Sequence, residues 1–210
     1  MTCVNIRWCA GTDDAPNPEP DAAMQHDTPI PDSPSRPRDV PRWSEVLRDR
    51  THVIIRPLVP QDRDEERRFI EQLSSEACHF RFLGTVRHPS EALLDRLTQL
   101  DPRRDVAFVA VHAEDAHEKI IGVSRYSVDA GGGRCECAVV VDDEWQNKGL
   151  GTLLMRRLID VARARGIRTM YSIDLADNVR MSDLAQDLGF QRRVDPDDGA
   201  QVIHELSLVA

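Results

Sequence analysis

The sequence predicts a single α/β domain in which helices flank a mixed, mostly antiparallel sheet. First, short apolar runs typical of strands alternate with segments whose apolar residues recur at helical spacing. Second, three strand-like runs follow one another with short connections, which is typical of an antiparallel meander. Third, a later succession of strand, helix and strand predicts one parallel pair with a right-handed crossover.

Length and composition fit one domain and a tail. The chain has 210 residues, of which 40% are hydrophobic, 30% charged and 5% aromatic. Residues 11–41 hold eight prolines and few apolar side chains, so they cannot bury enough surface to offset the entropy of ordering. We therefore predict a disordered, Pro-rich acidic tail over residues 1–42 and a folded domain over residues 43–210, which opens with a short lead-in.

Charge and hydropathy exclude several classes of partner. The net charge of 27 − 36 = −9 argues against a nucleic-acid partner, because phosphate-backbone binding needs a concentrated basic face. No apolar run reaches the roughly 18 residues that a membrane helix requires. The first residues lack the apolar stretch of a secretory signal. These observations predict a cytoplasmic protein with no membrane partner.

The first part of the predicted domain carries one strand and two helices. The apolar run His52–Arg56 predicts a strand that Pro57 ends. The segment Gln61–Ala77 predicts one continuous helix, because its apolar residues recur at helical spacing. A second helix is expected to begin at Pro89–Glu91, since proline is favoured in a first helical turn.

The meander and the crossover fill the rest of the domain. Three consecutive glycines at 131–133 turn the chain into the last strand of the meander, and Gly166 is a helix stop signal. The predicted elements are strands Val106–Val111, Ile120–Tyr126 and Cys135–Val141, helix Leu150–Gly166, strand Thr169–Leu175, helix Asn178–Leu188, and a hairpin of Phe190–Arg193 with Val202–Leu208.

A glycine-bearing loop joins the last meander strand to the helix that follows. Gln146, Gly149 and Gly151 have the spacing Q-x-x-G-x-G, and the loop opens directly into the helix N-terminus. Because glycine lacks Cβ, the backbone there can approach a ligand closely. The helix dipole adds roughly half a positive charge at that end. A strand, a glycine loop and a helix N-terminus together are suited to holding a phosphate.

The spacing excludes two phosphate-binding motifs. A Walker loop needs lysine after the second glycine, but Lys148 precedes Gly149. A dinucleotide fingerprint needs a third glycine where this chain has Leu154. The loop alone leaves two interpretations open, a pyrophosphate-binding turn and an ordinary turn between strand and helix. Lys148, Arg156 and Arg157 are candidates to neutralise phosphates, although the two arginines also fit a solvated helix face.

Glu136 is a lone acid inside the apolar run Cys135–Val141. Partial desolvation raises the pKa of a carboxylate and makes it a better base. A base of this kind can take a proton from a bound ammonium group, whose pKa in lysine is about 10.4. The alternative is a structural ion pair with Arg134, Arg125 or another cation, and periodicity alone leaves both interpretations open.

The cysteine pattern predicts no metal site. Cys135 and Cys137 share one face of a strand, so they cannot easily bond each other and are expected to be buried packing residues. Cys3 and Cys9 have no second pair at zinc-ribbon spacing.

Five segments together resemble the GCN5-related N-acetyltransferase (GNAT) superfamily. Gln146–Gly151 resembles its acetyl-CoA pyrophosphate loop, and Cys135–Val141 resembles the strand that leads to the loop. Asp177–Met181 and Leu188–Phe190 resemble the loop and helix after the next strand. Leu73–Phe82 resembles the acceptor-side helix of the bacterial Pat-type protein lysine acetyltransferases.

The resemblance spans residues 52–208 and implies the GNAT fold. It also implies an acetyl-CoA-dependent N-acetyltransferase that transfers acetyl directly within a ternary complex, with Glu136 as the general base. The Pat-like segment implies a protein lysine as acceptor, and it places His79, Arg81 and Arg125 on the acceptor side. A small-molecule amine as acceptor and a non-catalytic acetyl-CoA-binding module are the alternatives.

The resemblance also implies the cofactor contacts. The main chain near Val139 would pair with the pantetheine arm and stabilise an oxyanion, and Trp145 would pack beneath the loop. Asn178 would lie near the pantetheine or the thiol, or serve as a helix N-cap. Ala185 stands where many members carry a tyrosine general acid, which leaves that role unassigned, although a thiol with a pKa of about 8.5 can leave largely unprotonated. The predicted cofactor-binding residues are Val139, Val140, Val141, Gln146, Asn147, Lys148, Gly149, Leu150, Gly151, Thr152 and Asn178.

Overall fold

An eight-stranded mixed sheet forms the centre of the molecule. The computed structural model describes residues 41–82, 86–114 and 117–209. The strand order is β1-β2-β3-β4-β5-β6-β8-β7, and β5 with β6 is the one parallel pair among these strands. The strands are β1 Trp43–Val46, β2 His52–Pro57, β3 Asp105–Glu114, β4 His117–Val128, β5 Arg134–Val141, β6 Thr169–Leu175, β7 Gln191–Val194 and β8 Gln201–Ser207. The predicted fold class, meander and terminal hairpin are confirmed.

Helices cover both faces of the sheet and create two apolar layers. On one face, α1, α2 and α3 pack a cluster that includes Phe69, Cys78 and Leu94. On the other face, α4 and α5 pack a larger cluster that includes Leu154 and Met181. The helices are α1 Arg63–Gln72, α2 Ser75–Phe82, α3 Glu91–Thr98, α4 Leu150–Ala164 and α5 Val179–Asp187, with 3₁₀ turns at Pro60–Asp62 and Asp143–Trp145. No helix in the described part of the chain is long and apolar enough to cross a membrane.

The predicted continuous helix Gln61–Ala77 is wrong, because the chain forms α1 and α2 instead. Leu73 ends α1 in an extended conformation, with ψ at 140°. The Ser74 hydroxyl then accepts a hydrogen bond from the Ala77 amide at 3.1 Å, as a helix N-cap does. Ser74 also donates through its amide and hydroxyl to Asp143, at 3.1 and 3.0 Å. Contacts with a residue far away in sequence therefore stabilise the break.

One helix start differs from the sequence prediction, and the start of α4 at Leu150 agrees with it. The cap of α3 is Ser90, whose hydroxyl accepts from the Leu93 amide at 3.2 Å, so Pro89 lies before the helix rather than in its first turn. In α4, Gly149 precedes the first helical residue with φ at 88°, and Gly166 follows the helix with φ at 75°. Both glycines adopt left-handed backbone conformations that other residues rarely tolerate.

The lead-in to the domain is a strand rather than irregular chain. β1 pairs with β2 in antiparallel register, from Trp43 opposite Ile55 to Val46 opposite His52. The Trp43 ring meets the Phe108 ring edge-on, with centroids 5.6 Å apart. Residues 1–40 lie outside the described residues, so the tail predicted over 1–42, and the interpretation of Cys3 and Cys9, stay predictions.

Truncation of Leu158 should expose the dependence of the fold on α4. The Leu158 side chain is fully buried between α4 and the sheet. Leu158→Ala should lower the free energy of unfolding by about 2 to 5 kcal/mol, because it removes packed methyl groups and leaves a cavity. Urea denaturation followed by circular dichroism measures the change. Leu153→Ala, on the half-buried side of the same helix, is the matched control, and an equal loss in both variants would contradict this packing.

Candidate acyl-transfer site

The parallel strands β5 and β6 separate part of the way along their length. They pair at Arg134 with Thr169, at Cys135 with Met170 and at Glu136 with Tyr171, and the pairing ends there. The rest of β5 still pairs with β4, and the rest of β6 still pairs with β8. A wedge-shaped gap therefore opens in the sheet beyond Glu136, and backbone groups of residues 137–141 face it. We call this gap the fork.

Glu136 lies at the base of the fork in a small cavity. Its side chain is 8% exposed. The wall of this cavity combines the carboxylate with two arginines and with residues of β4 and β5. The lining residues are Arg81, Arg125, Tyr126, Ser127, Glu136, Cys137 and Ala138. The structure thus brings the predicted base together with two of the three predicted acceptor-side residues.

The two arginines considered as ion-pair partners of Glu136 have acidic partners elsewhere. Arg134 Nη2 lies 3.0 Å from a Glu205 carboxylate oxygen on β8. Arg125 Nη2 donates to Glu66 Oε1 at 2.7 Å, and Arg125 Nη1 donates to the Leu97 carbonyl at 3.1 Å. The third acceptor-side candidate, His79, is exposed on α2 and lies beside the Phe80 ring.

The loop between β5 and α4 is held by its own side chains. Asp142 caps the first 3₁₀ residues by accepting from the Glu144 amide at 2.9 Å. Gln146 donates to the Val141 carbonyl and to Asp143, each at 3.2 Å. Asn147 and Gly149 both have positive φ, at 61° and 88°. These constraints fix the path of the backbone into α4.

The N-terminus of α4 faces an open pocket. No side chain in the described residues caps this helix, so its first amide groups have no partner within the helix. Such a terminus favours an anion through its N–H groups and its dipole. Seven predicted cofactor residues line this pocket, namely Val141, Gln146, Asn147, Gly149, Leu150, Gly151 and Thr152. The other lining residues are Arg48, Trp145, Arg180, Asp183, Leu184 and Asp187.

The cations near this pocket differ from those that the sequence suggested. Lys148 pairs with Asp49 at 3.1 Å and lies over the Trp145 ring, 4.7 Å from its centroid. The pKa of the Asp49 carboxyl falls to about 2, because Thr51 and then Lys148 donate to it. Arg157 instead pairs with Glu45 at 2.7 Å, far along α4 from the loop.

Arg156 is exposed on α4, and two arginines that sequence reasoning missed line the pocket instead. Arg48 comes from the β1–β2 turn, where its amide donates to the Lys148 carbonyl at 3.1 Å. Arg180, in the first turn of α5, donates to Gln146 Oε1 at 2.7 Å. The sequence near Arg48 carries no phosphate motif. Arg180 lies inside the segment Asp177–Met181, which resembles the family's loop and helix after β6.

Asn178 performs the capping role that the sequence left as one alternative. Its Oδ1 accepts from the Met181 amide at 3.2 Å, and its side chain is 2% exposed. It also lines a pocket beside Glu76 and Phe80, so its capping role is compatible with a ligand contact. Ala185 is fully buried in α5 and presents no proton donor.

The buried cysteines are packing residues, as the sequence predicted. Cys135 and Cys137 are almost completely enclosed within the apolar layer under α4. Burial raises the pKa of the Cys135 thiol to about 12, and burial also raises that of Cys137. Both therefore remain neutral thiols near pH 7. No group of three or more potential metal ligands occurs in the described part of the chain.

This fold and loop match known acyltransferases. The family model described as "Acetyltransferase (GNAT) family" matches residues 67–190, more than half of the chain. The chain is 51% identical over 166 residues to acetyltransferase PA5475 of Pseudomonas aeruginosa, covering 79% of this chain and 89% of that protein. It is 32% identical over 136 residues to acetyltransferase Pat of Mycolicibacterium smegmatis, covering 64% of this chain and 40% of Pat.

A solved structure shares the same architecture. The GNAT domain of S. lividans PAT superposes with a TM-score of 0.72 at 27% sequence identity. The match covers 79% of this chain and 96% of that domain.

Substitution of Gly149 should weaken acetyl-CoA binding beyond its effect on stability. Gly149→Ala must relieve a φ of 88° by moving the amides at the start of α4, although its Cβ would meet Arg48 only at ordinary contact distance. We expect calorimetry to show that acetyl-CoA binds at least about tenfold more weakly. This change corresponds to the loss of about one charge-assisted hydrogen bond.

Gly166→Ala is the matched control for this strain. Gly166 has a φ of 75°, and its Cβ would meet nothing within 4 Å. Both variants should lose about 1 to 2 kcal/mol of stability. If Gly166→Ala weakened acetyl-CoA binding as much as Gly149→Ala, the loop would have no special part in that binding.

Proposed function

The chain belongs to the acetyltransferase (GNAT) family, whose members use acetyl-CoA as co-substrate, and we propose that it acetylates a protein lysine with Glu136 as general base. Its assignment as an N-acetyltransferase follows from the family. The acceptor and the catalytic residue are our proposal. The observation that carries it is the position of Glu136, a buried carboxylate at the base of the fork that also lines a cavity.

The fork fits the extended arm of the co-substrate. Backbone groups of Val139–Val141 face the gap instead of a neighbouring strand. An extended pantetheine with two amide groups can supply the missing hydrogen bonds, much as an added strand would. An amide near Val139 would then donate to the thioester oxygen as negative charge develops there.

The loop and the start of α4 fit the diphosphate. We assign this role to the main chain of Gln146–Thr152, which surrounds the N-terminal pocket of α4. Arg48 and Arg180 border the same pocket and add positive charge. Asp183 and Asp187 also border it, so the two arginines offset acidic charge as well as phosphate charge.

Transfer proceeds by direct attack in a ternary complex. Glu136 accepts a proton from the acceptor ammonium, and the resulting neutral nitrogen attacks the thioester carbonyl carbon. The carbon–sulfur bond breaks, CoA leaves as the thiolate, and the acylated nitrogen releases its second proton to solvent to give the neutral amide. Because Ala185 provides no proton donor, the thiolate takes its proton from solvent, which is acceptable for a group with a pKa of about 8.5.

A protein lysine is the proposed acceptor for two reasons. The segment Leu73–Phe82 resembles the acceptor-side helix of Pat-type protein lysine acetyltransferases, and in the structure α2 brings Arg81 of this segment into the wall of the Glu136 cavity. The cavity is narrow, which suits a slender terminal amine better than a branched acceptor.

Replacement of the base is the direct test. Glu136→Gln should lower kcat by about 100-fold or more at pH 7, since the amine then has no positioned proton acceptor. Acetyl-CoA affinity should stay unchanged by calorimetry. Turnover is followed by thiol release with lysine peptides, intact candidate proteins and small amines, and the products are identified by mass spectrometry.

Glu205→Gln, on the neighbouring strand β8, is the matched control and should retain full activity. Wild-type turnover in Glu136→Gln would show that Glu136 is not the general base. Acetylation of small amines alone would replace lysine with a small acceptor. Binding of acetyl-CoA without any thiol release would indicate a non-catalytic binding module.

A further inference from the structure

Arg81 is a buried guanidinium in the wall of the Glu136 cavity. Its side chain is 3% exposed, and its carbon Cζ lies 5.0 Å from the centroid of the Phe82 ring. Its Nη1 atom is enclosed and has no hydrogen-bond partner in the described residues. A buried charge with an unused donor lowers stability. Structural support of α2 alone does not explain this arrangement, since an apolar side chain would pack there at lower cost.

The nearby carboxylate of Glu66 does not balance both cavity arginines. Glu66 is 2% exposed on α1 and accepts a 2.7 Å hydrogen bond from Arg125. Burial raises the pKa of Glu66, while Arg125 and then Arg81 act to lower it. The three elements α1, β4 and α2 thus contribute one negative and two positive groups. Glu136 faces a wall with an excess of positive charge.

Among the other groups near Glu136, the buried Asp174 carboxylate lies 2.8 Å from His204 Nδ1. Tyr171 on β6 stands in register with Glu136, and its hydroxyl donates to Asp129 at 3.2 Å. Burial, followed by Glu136 and Asp129, raises the pKa of Tyr171, so the phenol is neutral near pH 7. Burial keeps the neighbouring Cys137 thiol neutral as well. On β5, Arg134 pairs with Glu205.

We propose that Arg81 is a positioning residue whose fixed positive charge sets the pH at which the acceptor amine and Glu136 together lose a proton. This inference rests on the proposed function of Glu136. An ammonium beside a carboxylate is neutral as a pair, and the pair becomes negative when one proton leaves. A fixed cation stabilises that negative state, so the reactive neutral amine forms at lower pH.

Arg81 takes no proton itself in this step. A guanidinium remains protonated throughout the working range of pH. One proton leaves the nitrogen for Glu136 and then for solvent, and the nitrogen bonds to the carbonyl carbon. Sulfur departs with the electron pair of the broken bond, and the acylated nitrogen then releases its second proton to solvent. The role of Arg81 is to hold its charge beside the pair, and its burial protects that charge from screening.

Charge removal at this position should shift the pH profile. In Arg81→Gln, the acid limb of both kcat and kcat/KM should move upward by about one pH unit. Activity at pH 7 should therefore fall by about tenfold and recover toward the wild-type value above the shifted limb. Arg81→Lys keeps the charge and should retain the wild-type limb. Arg96→Gln, which removes an exposed arginine from α3, should leave the profile unchanged.

A folded Arg81→Gln enzyme with an unshifted acid limb would overturn the proposal. A loss of activity that is equal at every pH would do the same, because it indicates a structural defect. Arg81→Met replaces the glutamine variant if circular dichroism shows the latter unfolded.

A titration without turnover separates this inference from the proposed function. Carbon-13 NMR of labelled glutamate carboxyls follows the ionisation of Glu136 in the free enzyme, with Glu136→Gln assigning the signal. Its midpoint should rise in Arg81→Gln and not in Arg96→Gln. An unchanged midpoint would refute the influence of Arg81, whereas a raised midpoint with full turnover in Glu136→Gln would refute only the catalytic role of the carboxylate.

Discussion

The parting of β5 and β6 beyond Glu136 is the constraint on which the rest of the site depends. A continuous parallel pair would satisfy the inner backbone groups of both strands, but here residues 137–141 lack that neighbour. Backbone N–H and carbonyl groups require partners when they are enclosed. That demand is why we place the pantetheine arm in the fork. It also puts Glu136 at the point where the pairing of β5 with β6 ends.

The structure buries three charged side chains near the base of the fork, an arrangement that packing alone would not favour. Glu66, Arg81 and Arg125 are each at least nine-tenths buried, and they come from α1, α2 and β4. Buried ion pairs contribute little to stability when compared with apolar side chains of the same size. A cluster of this kind beside a carboxylate in a cavity is typical of a site where ionisation is controlled. The charged groups on the proposed acceptor side thus come from two helices and one strand, all outside the glycine loop.

Short sequence patterns predicted the elements that depend on residues close together in the chain. The glycine spacing gave the start of α4 because Gly149 and Gly166 need left-handed backbone, and the lone acid of an apolar strand stood out as Glu136. The break between α1 and α2 could not be predicted, because it depends on hydrogen bonds from Ser74 to Asp143, 69 residues away. Arg48 was missed for the same reason, since only the fold brings the β1–β2 turn beside the loop.

Two hydrogen bonds between Ser74 and Asp143 connect the glycine loop to α2. Asp143 lies at the root of the glycine loop and also receives the side-chain amide of Gln146, while Ser74 begins the helix that carries Arg81. Any displacement of the loop must carry the first turn of α2 with it or break two hydrogen bonds. We therefore expect motions of the proposed nucleotide and amine halves of the site to be coupled.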